Sequence, residues 1–78
     1  MDHVTIYGRA SCGFCVRARQ LCEIRDIPYR YVDMIEADLE KTIGKPVHTV
    51  PQIFVGEEHV GGFDHFSHYV QRFEAAGG

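Results

Sequence analysis

Apolar and polar positions alternate at the start of the chain. Val4 and Ile6 face one way, Thr5 and Tyr7 the other, the period-two pattern of a half-buried strand over residues 3–7. From Cys12 the repeat lengthens to that of a helix. Phe14, Ala18, Leu21 and Cys22 share one face, while Arg17, Arg19, Gln20 and Glu23 look outward. Pro28 ends this helix or its trailing turn. Tyr29 to Val32 is rich in strand formers. Asp33 to Ile43 reads as a short helix, with Leu39 and Ile43 inward, Gly44 at its C-terminal end and Pro46 beyond. Gln52 to Val55 is a strand, Gly56-Glu57 a turn, and Glu58 to Val60 a return strand. Gly61-Gly62 breaks the chain. Phe66, Tyr69, Val70 and Phe73 then recur at i, i+3, i+4 and i+7 as the core face of a last helix, with Asp64 placed as its N-cap.

The order β-α-β-α-β-β-α predicts an α/β fold. A right-handed crossover makes the first two strands parallel, and the last two form a hairpin. The result is a mixed four-stranded sheet with helices on both faces. At 78 residues the chain is expected to be one domain spanning 1–78, with residues 75–78 as a frayed tail. The net charge of −3 argues against general nucleic-acid binding. No apolar run approaches the length of a membrane span. The N-terminus opens directly into a strand, so no signal peptide is expected. Three cysteines is an odd count for a secreted scaffold, which favours a reducing cytoplasm.

The chemistry concentrates in Cys12-Gly13-Phe14-Cys15, where a strand gives way to a helix. Two thiols two residues apart can close a disulfide across the first helical turn. The leading thiol then sits among unpaired backbone N–H groups at the positive end of the helix dipole, an environment that favours the attacking thiolate. The alternative is a zinc half-site. A structural zinc needs four ligands, and the remaining cysteine is Cys22. His65 and His68 have ligand spacing but belong to a separate amphipathic segment. The strand-then-helix context favours redox chemistry with no metal. Cys22 reads as a small buried hydrophobe, and the acidic run Glu36, Asp38, Glu40 as a solvated helix face.

Three separated motifs in order resemble the glutaredoxin family. They are the strand–Cys-x-x-Cys–helix opening, Thr49-Val50-Pro51 before a strand, and Gly61-Gly62-Phe63-Asp64 before the last helix. The string from Gly44 to Val55, with Gly8-Arg9 and Cys15-Val16-Arg17-Ala18-Arg19, is similar to the dithiol class and to the bacterial glutaredoxin 1 group. The resemblance covers nearly the whole chain. It implies a thioredoxin-like fold and a cytoplasmic thiol–disulfide oxidoreductase, bacterial or, in a compact phage-encoded version, in the host cytoplasm. It also implies a monomer with glutathione as reductant. The implied clients are glutathione mixed disulfides and protein disulfides such as that of ribonucleotide reductase.

The resemblance also assigns roles. Cys12 is the nucleophile. Cys15 is the resolving thiol, shielded one turn into the helix. Val50-Pro51 is a cis peptide, and the Val50 backbone pairs strand-fashion with the cysteine of glutathione. The helix start at Gly62, Phe63, Asp64 and His65 receives the γ-glutamyl carboxylate, and the Asp64 carboxylate accepts from the neighbouring amine. Arg9, and second to it Lys45, holds the glycyl carboxylate. Thr49 belongs to the same segment as Val50 and Pro51, and Phe14 and Phe63 form apolar walls.

Two departures stand out. His65 replaces an acidic residue common in the family, and Gly13-Phe14 replaces the usual Pro-Tyr between the cysteines. The Gly-Phe pair is shared with monothiol relatives that hold a [2Fe-2S] cluster, whereas Cys15 sets this chain apart from them. The alternatives carried by the resemblance are a donor reduced by a flavoenzyme and a glutathione-ligated cluster-bridged dimer.

Overall fold

The computed structural model describes residues 2–76. The elements are β1 (Val4–Gly8), α1 (Gly13–Ile24), β2 (Tyr29–Asp33), α2 (Glu36–Ile43), β3 (Gln52–Val55), β4 (Glu58–Gly61) and α3 (Phe63–Ala75). The sheet runs β2-β1-β3-β4. β1 and β2 are parallel, with Val4 opposite Tyr29 and Gly8 opposite Asp33. β3 is antiparallel to both its neighbours, β1 and β4. This is the mixed four-stranded sheet with three helices that the pattern predicts.

Side-chain alternation decides which face is covered. Val4 and Ile6 of β1, and Ile53 and Val55 of β3, turn to one side and meet Ala18 and Cys22 of α1 and Phe66 and Val70 of α3. Fully burying an apolar side chain of this size stabilises the fold by about 1.5–3 kcal/mol each. Thr5, Tyr7 and Phe54 take the opposite face, where the Tyr7 and Phe54 rings meet edge-on with centroids 5.8 Å apart. Leu39, the buried residue of α2, stands outside the α1–α3 cluster.

Helix ends follow local chemistry. α1 stops in a Schellman arrangement: Ile27 N–H donates to the Cys22 carbonyl at 2.8 Å and Asp26 N–H to Glu23 at 3.4 Å. Asp26 takes the left-handed conformation (φ 56°) that closes the helix ahead of Pro28. Gly44 does the same for α2 at φ 85°.

Several expected boundaries move. Asp33 does not start the second helix; it ends β2 in register with Gly8, and the helix begins at Glu36 after an extended Ile35. Parallel pairing with β1 extends the strand through a residue whose intrinsic preference is for caps and turns. Ala75 is not part of a frayed tail but the last residue of α3, with Ala76 as its C-cap; Gly77 and Gly78 lie outside the described residues. Phe14 does not join the inward face of α1. It is 54% exposed, and Cys15 takes the buried place beside Ala18 and Cys22.

Candidate active site

The site forms where β1 ends and α1 begins. Cys12 is the N-cap of α1, with extended backbone (φ −89°, ψ 118°). Its Sγ accepts the Cys15 backbone N–H at 3.2 Å, so sulfur does here what a serine or aspartate oxygen does at most helix starts. The Cys12 thiol donates in turn to the Val50 carbonyl at 3.5 Å. Cys12 is half-buried, and Cys15 is fully buried. Both are free thiols in this structure.

The Cys15 sulfur is held away from its ordinary ionisation. Burial pushes the Cys15 thiol up to about 11, and its hydrogen bonding with Cys12 adds to the rise. The Arg9 backbone and the Tyr31 hydroxyl act in the opposite direction. The two thiols differ in position, Cys12 at the mouth of the helix and Cys15 buried a turn inside it.

A cleft of about 210 Å³ opens beside Cys12, lined by Phe14, Thr49, Val50, Pro51, Phe63 and Asp64. The Phe14 and Phe63 rings stand 6.3 Å apart at its edge. The Val50–Pro51 peptide is cis, as the family motif implied. The Pro51 carbonyl lies 3.8 Å from where a Cβ on Gly62 would stand, so the loop and the start of α3 are packed together.

Asp64 is not the N-cap of α3. Gly62 takes that position with no side-chain cap bond, and its carbonyl accepts the first helical N–H, from Phe66, at 3.0 Å. Gly61, at φ 117°, turns the chain early enough to start the helix two residues before the sequence preference of aspartate places it. The Asp64 carboxylate is consequently left at the cleft, in the first turn of the helix.

Six of the expected residues thus line one cleft. Arg9, Lys45 and His65 are placed elsewhere. The Arg9 side chain is paired with Asp33 (Nε to Oδ1, 3.7 Å) on the exposed surface. The charge of Lys45 reaches His59 on β4, where it adds to burial in lowering that imidazole. His65 lies along Gly61, with its ring 3.3 Å from a Cβ placed there. It lines a separate groove of about 370 Å³ with His59, His68 and Tyr69. Among the described residues, no group of three or more His, Cys, Asp or Glu side chains is placed to hold a metal ion.

Three residues escaped the sequence reading. Arg17 stacks its guanidinium on Phe14, 5.5 Å from the ring centroid, and brings a cation to the edge of the site; its i+3 spacing from Phe14 was the available signal. Gly8 and Tyr31 form the floor beneath Cys15. A Cβ on Gly8 would meet Cys15 Sγ at 2.6 Å and the Tyr31 hydroxyl at 2.8 Å. No spacing rule reveals that contact, because it joins β1, β2 and α1.

Comparison with known proteins agrees with this geometry. The family model described as Glutaredoxin matches residues 4–60. A glutaredoxin of Vibrio cholerae is 50% identical over 78 residues, covering 87% of this chain and 90% of that protein. Glutaredoxin 1 from Francisella tularensis, solved in complex with cacodylate, superposes with a TM-score of 0.78 at 30% identity, covering 94% of this chain and 96% of that one. A buckwheat glutaredoxin–glutathione complex gives a TM-score of 0.72 at 25% identity, covering 88% of this chain and 68% of that chain. With its paired thiols at the strand-to-helix junction, the chain belongs to the glutaredoxin family of thiol–disulfide oxidoreductases.

Proposed function

We propose that this oxidoreductase draws its electrons from glutathione and passes them to glutathione mixed disulfides and to protein disulfides, that of ribonucleotide reductase among them. It acts as a monomer in a reducing cytoplasm. The observation that carries the reading is the cleft beside Cys12, which ends on an uncapped helix N-terminus and an uncommitted carboxylate. A tripeptide with a cationic amine and two carboxylates fits that chemistry. The Phe63 and Asp64 N–H groups suit the γ-glutamyl carboxylate, and the Asp64 side chain suits the amine. The Val50 backbone, already within reach of the Cys12 sulfur, suits the cysteinyl unit. Arg9 serves the glycyl carboxylate after leaving Asp33, an exchange of one exposed ion pair for another that costs little.

The chemistry proceeds by two exchanges. The Cys12 thiolate attacks one sulfur of the client disulfide. A Cys12–client disulfide forms, and the other client sulfur leaves with the bonding pair and takes up a proton. Cys15 then attacks Cys12 Sγ and the second client sulfur departs as a thiol. The protein is left as the Cys12–Cys15 disulfide and two glutathione molecules return it to the dithiol. Where the substrate is a glutathione mixed disulfide, Cys12 takes the glutathionyl group and a second glutathione removes it, so Cys15 is not needed.

The test is a coupled assay on a glutathionylated peptide, with electrons supplied by NADPH through glutathione and glutathione reductase in one arm. In the other arm they come through a thioredoxin-type flavoenzyme reductase alone. The reading predicts saturable turnover in the glutathione arm. Turnover in the flavoenzyme arm alone would overturn it in favour of a thioredoxin-like donor.

A further inference from the structure

The resolving step sets a problem that Cys12 does not share. Cys15 must carry negative charge to attack, yet it is fully buried and held near pKa 11 chiefly by burial. No charged or polar side chain is buried among the described residues, so neither a buried carboxylate base nor a buried cation stands ready to help. What does face the sulfur is the Tyr31 hydroxyl. Both lie within 2.8 Å of the point where a Cβ on Gly8 would stand, at 2.6 Å for Cys15 Sγ and 2.8 Å for the hydroxyl oxygen. The missing side chain of Gly8 leaves the space that both of them border.

Tyr31 is held for this position from three sides. Its hydroxyl donates to the Arg9 carbonyl at 3.0 Å. Its ring lies under the Arg19 guanidinium of α1, 4.6 Å from the centroid. Its backbone is paired with Ile6 in the parallel ladder. A hydroxyl hydrogen rotates freely about its C–O bond, and a carbonyl and a thiolate are alternative acceptors for it. Burial, together with the charge on Cys15, pushes the Tyr31 phenol up to about 12, so it keeps its proton at working pH.

We propose that the Tyr31 hydroxyl turns its hydrogen from the Arg9 carbonyl onto the Cys15 sulfur as that sulfur becomes a thiolate, and so speeds the resolving step. The inference rests on the dithiol reading of Cys15. In the step itself, Cys15 releases its proton to solvent and its electron pair forms the bond to Cys12 Sγ. The Cys12–client bond breaks, and the client sulfur leaves with that bonding pair and is protonated. Tyr31 keeps its own proton throughout. The other titratable and charged groups around the pair are Cys12 at the N-cap of α1, Arg19 of α1, Asp33 of β2, and Arg9, which is paired with Asp33.

The experiment is single-turnover reaction of the reduced protein with 5,5′-dithiobis(2-nitrobenzoate), which reads the two steps separately. Attack by Cys12 releases one coloured thiolate in a second-order phase. Resolution by Cys15 releases the other in a first-order phase. Tyr31→Phe retains the ring and removes only the hydroxyl. The first phase should stay within about twofold, and the second should slow by about tenfold, the low end for loss of one hydrogen bond to a charged group. The pH midpoint of the second phase should rise by about one unit, the shift equivalent to tenfold. Incorporation of 3-fluorotyrosine at position 31, a stronger donor of nearly the same shape, should move that midpoint down. A well-folded Tyr31→Phe with an unchanged second phase and midpoint overturns the proposal. If Tyr31→Phe fails to fold, a midpoint unmoved by fluorotyrosine overturns it. Cys15→Ser should lack the second phase altogether; its survival there would sink the dithiol reading instead.

Discussion

Replacing Gly8 by alanine should destabilise the fold, against the usual direction for such a change. Gly8 ends β1, is buried, and its carbonyl accepts the Met34 N–H at 3.0 Å. Its φ is not among the positive values, so alanine is conformationally admissible. On chain entropy alone the substitution would stabilise by about 0.4–1 kcal/mol. Packing opposes it. The added methyl would stand 2.6 Å from Cys15 Sγ, 2.8 Å from the Tyr31 hydroxyl and 3.2 Å from Cys15 Cβ. None of these neighbours is free to yield. Cys15 is buried on α1, and Tyr31 is fixed by the Arg9 carbonyl and by Arg19. Overpacking of this kind costs about 1–3 kcal/mol, and with neighbours that cannot yield the central net loss is about 1.3 kcal/mol, at most about 2.6. With a urea slope of about 1 kcal/mol/M for a small protein, the unfolding midpoint should fall by about 1 M and by no more than about 2.6 M. The assay is urea denaturation followed by circular dichroism, with the thiols kept reduced. Gly13→Ala is the internal control, because a Cβ there meets nothing within 4 Å. A Gly8→Ala midpoint equal to or above that of the wild type would refute the close packing of β1 on Cys15 and Tyr31.

Gly13→Pro should stabilise the protein by about 0.4–1 kcal/mol in the same denaturation experiment. Position 13 is the first residue of α1, where proline is favoured, and Cys12 already has the extended backbone that a following proline demands. Alkali should weaken the fold, with the sign set by three groups whose neutral forms the fold favours. Cys15 and Cys22 rise from 9.0 to about 11, mainly through burial, and Tyr31 from 10.0 to about 12. Their contribution is whole below pH 9, where unfolded thiols are still protonated, and is lost as pH climbs from about 9 toward 12. Each group gives a slope of at most about 1.4 kcal/mol per pH unit between its two values. Denaturant midpoints flat from pH 7 to 8.5 and falling above 9 are the expected profile; midpoints independent of pH up to 11 would contradict the burial of these groups. Arg9→Ala should raise the glutathione KM severalfold in steady-state kinetics while leaving the urea midpoint unmoved, since its contact with Asp33 is exposed.

Most of the fold was legible because local signals and tertiary packing agree. Alternation in β1, the helical repeat after Cys12 and the spacing of Phe66 and Val70 each mark a face that the core buries. The errors fall where a local preference lost to a longer-range constraint. Asp33 is a good helix starter, yet pairing with Gly8 keeps it in β2. Asp64 is a good N-cap, yet the Gly61 turn puts the cap at Gly62 and leaves the carboxylate at the cleft. Phe14 is apolar, yet its place beside an open helix start makes it a wall of the site and not of the core.

The site was legible in its motifs but not in its side-chain directions. Cys12 and the Thr49-Val50-Pro51 segment meet as the family resemblance implies, with the Cys12 thiol on the Val50 carbonyl. Sequence position alone does not reveal that His65 turns onto Gly61, that Arg9 is tied to Asp33, or that Tyr31 stands beside Cys15 under Gly8. Each depends on contacts between elements that are distant in the chain.

The central claim is the division of labour between the two thiols, and one side-by-side measurement tests it. Wild type, Cys12→Ser and Cys15→Ser are assayed for glutathione-driven reduction of a glutathionylated peptide and of a protein disulfide. Serine at position 12 can still cap α1 through its hydroxyl, so loss of function there reports chemistry and not folding. The account predicts no activity on either substrate for Cys12→Ser. For Cys15→Ser it predicts retained reduction of the mixed disulfide and loss of protein-disulfide reduction. Protein-disulfide reduction at the full wild-type rate by Cys15→Ser, or activity surviving in Cys12→Ser, would contradict it.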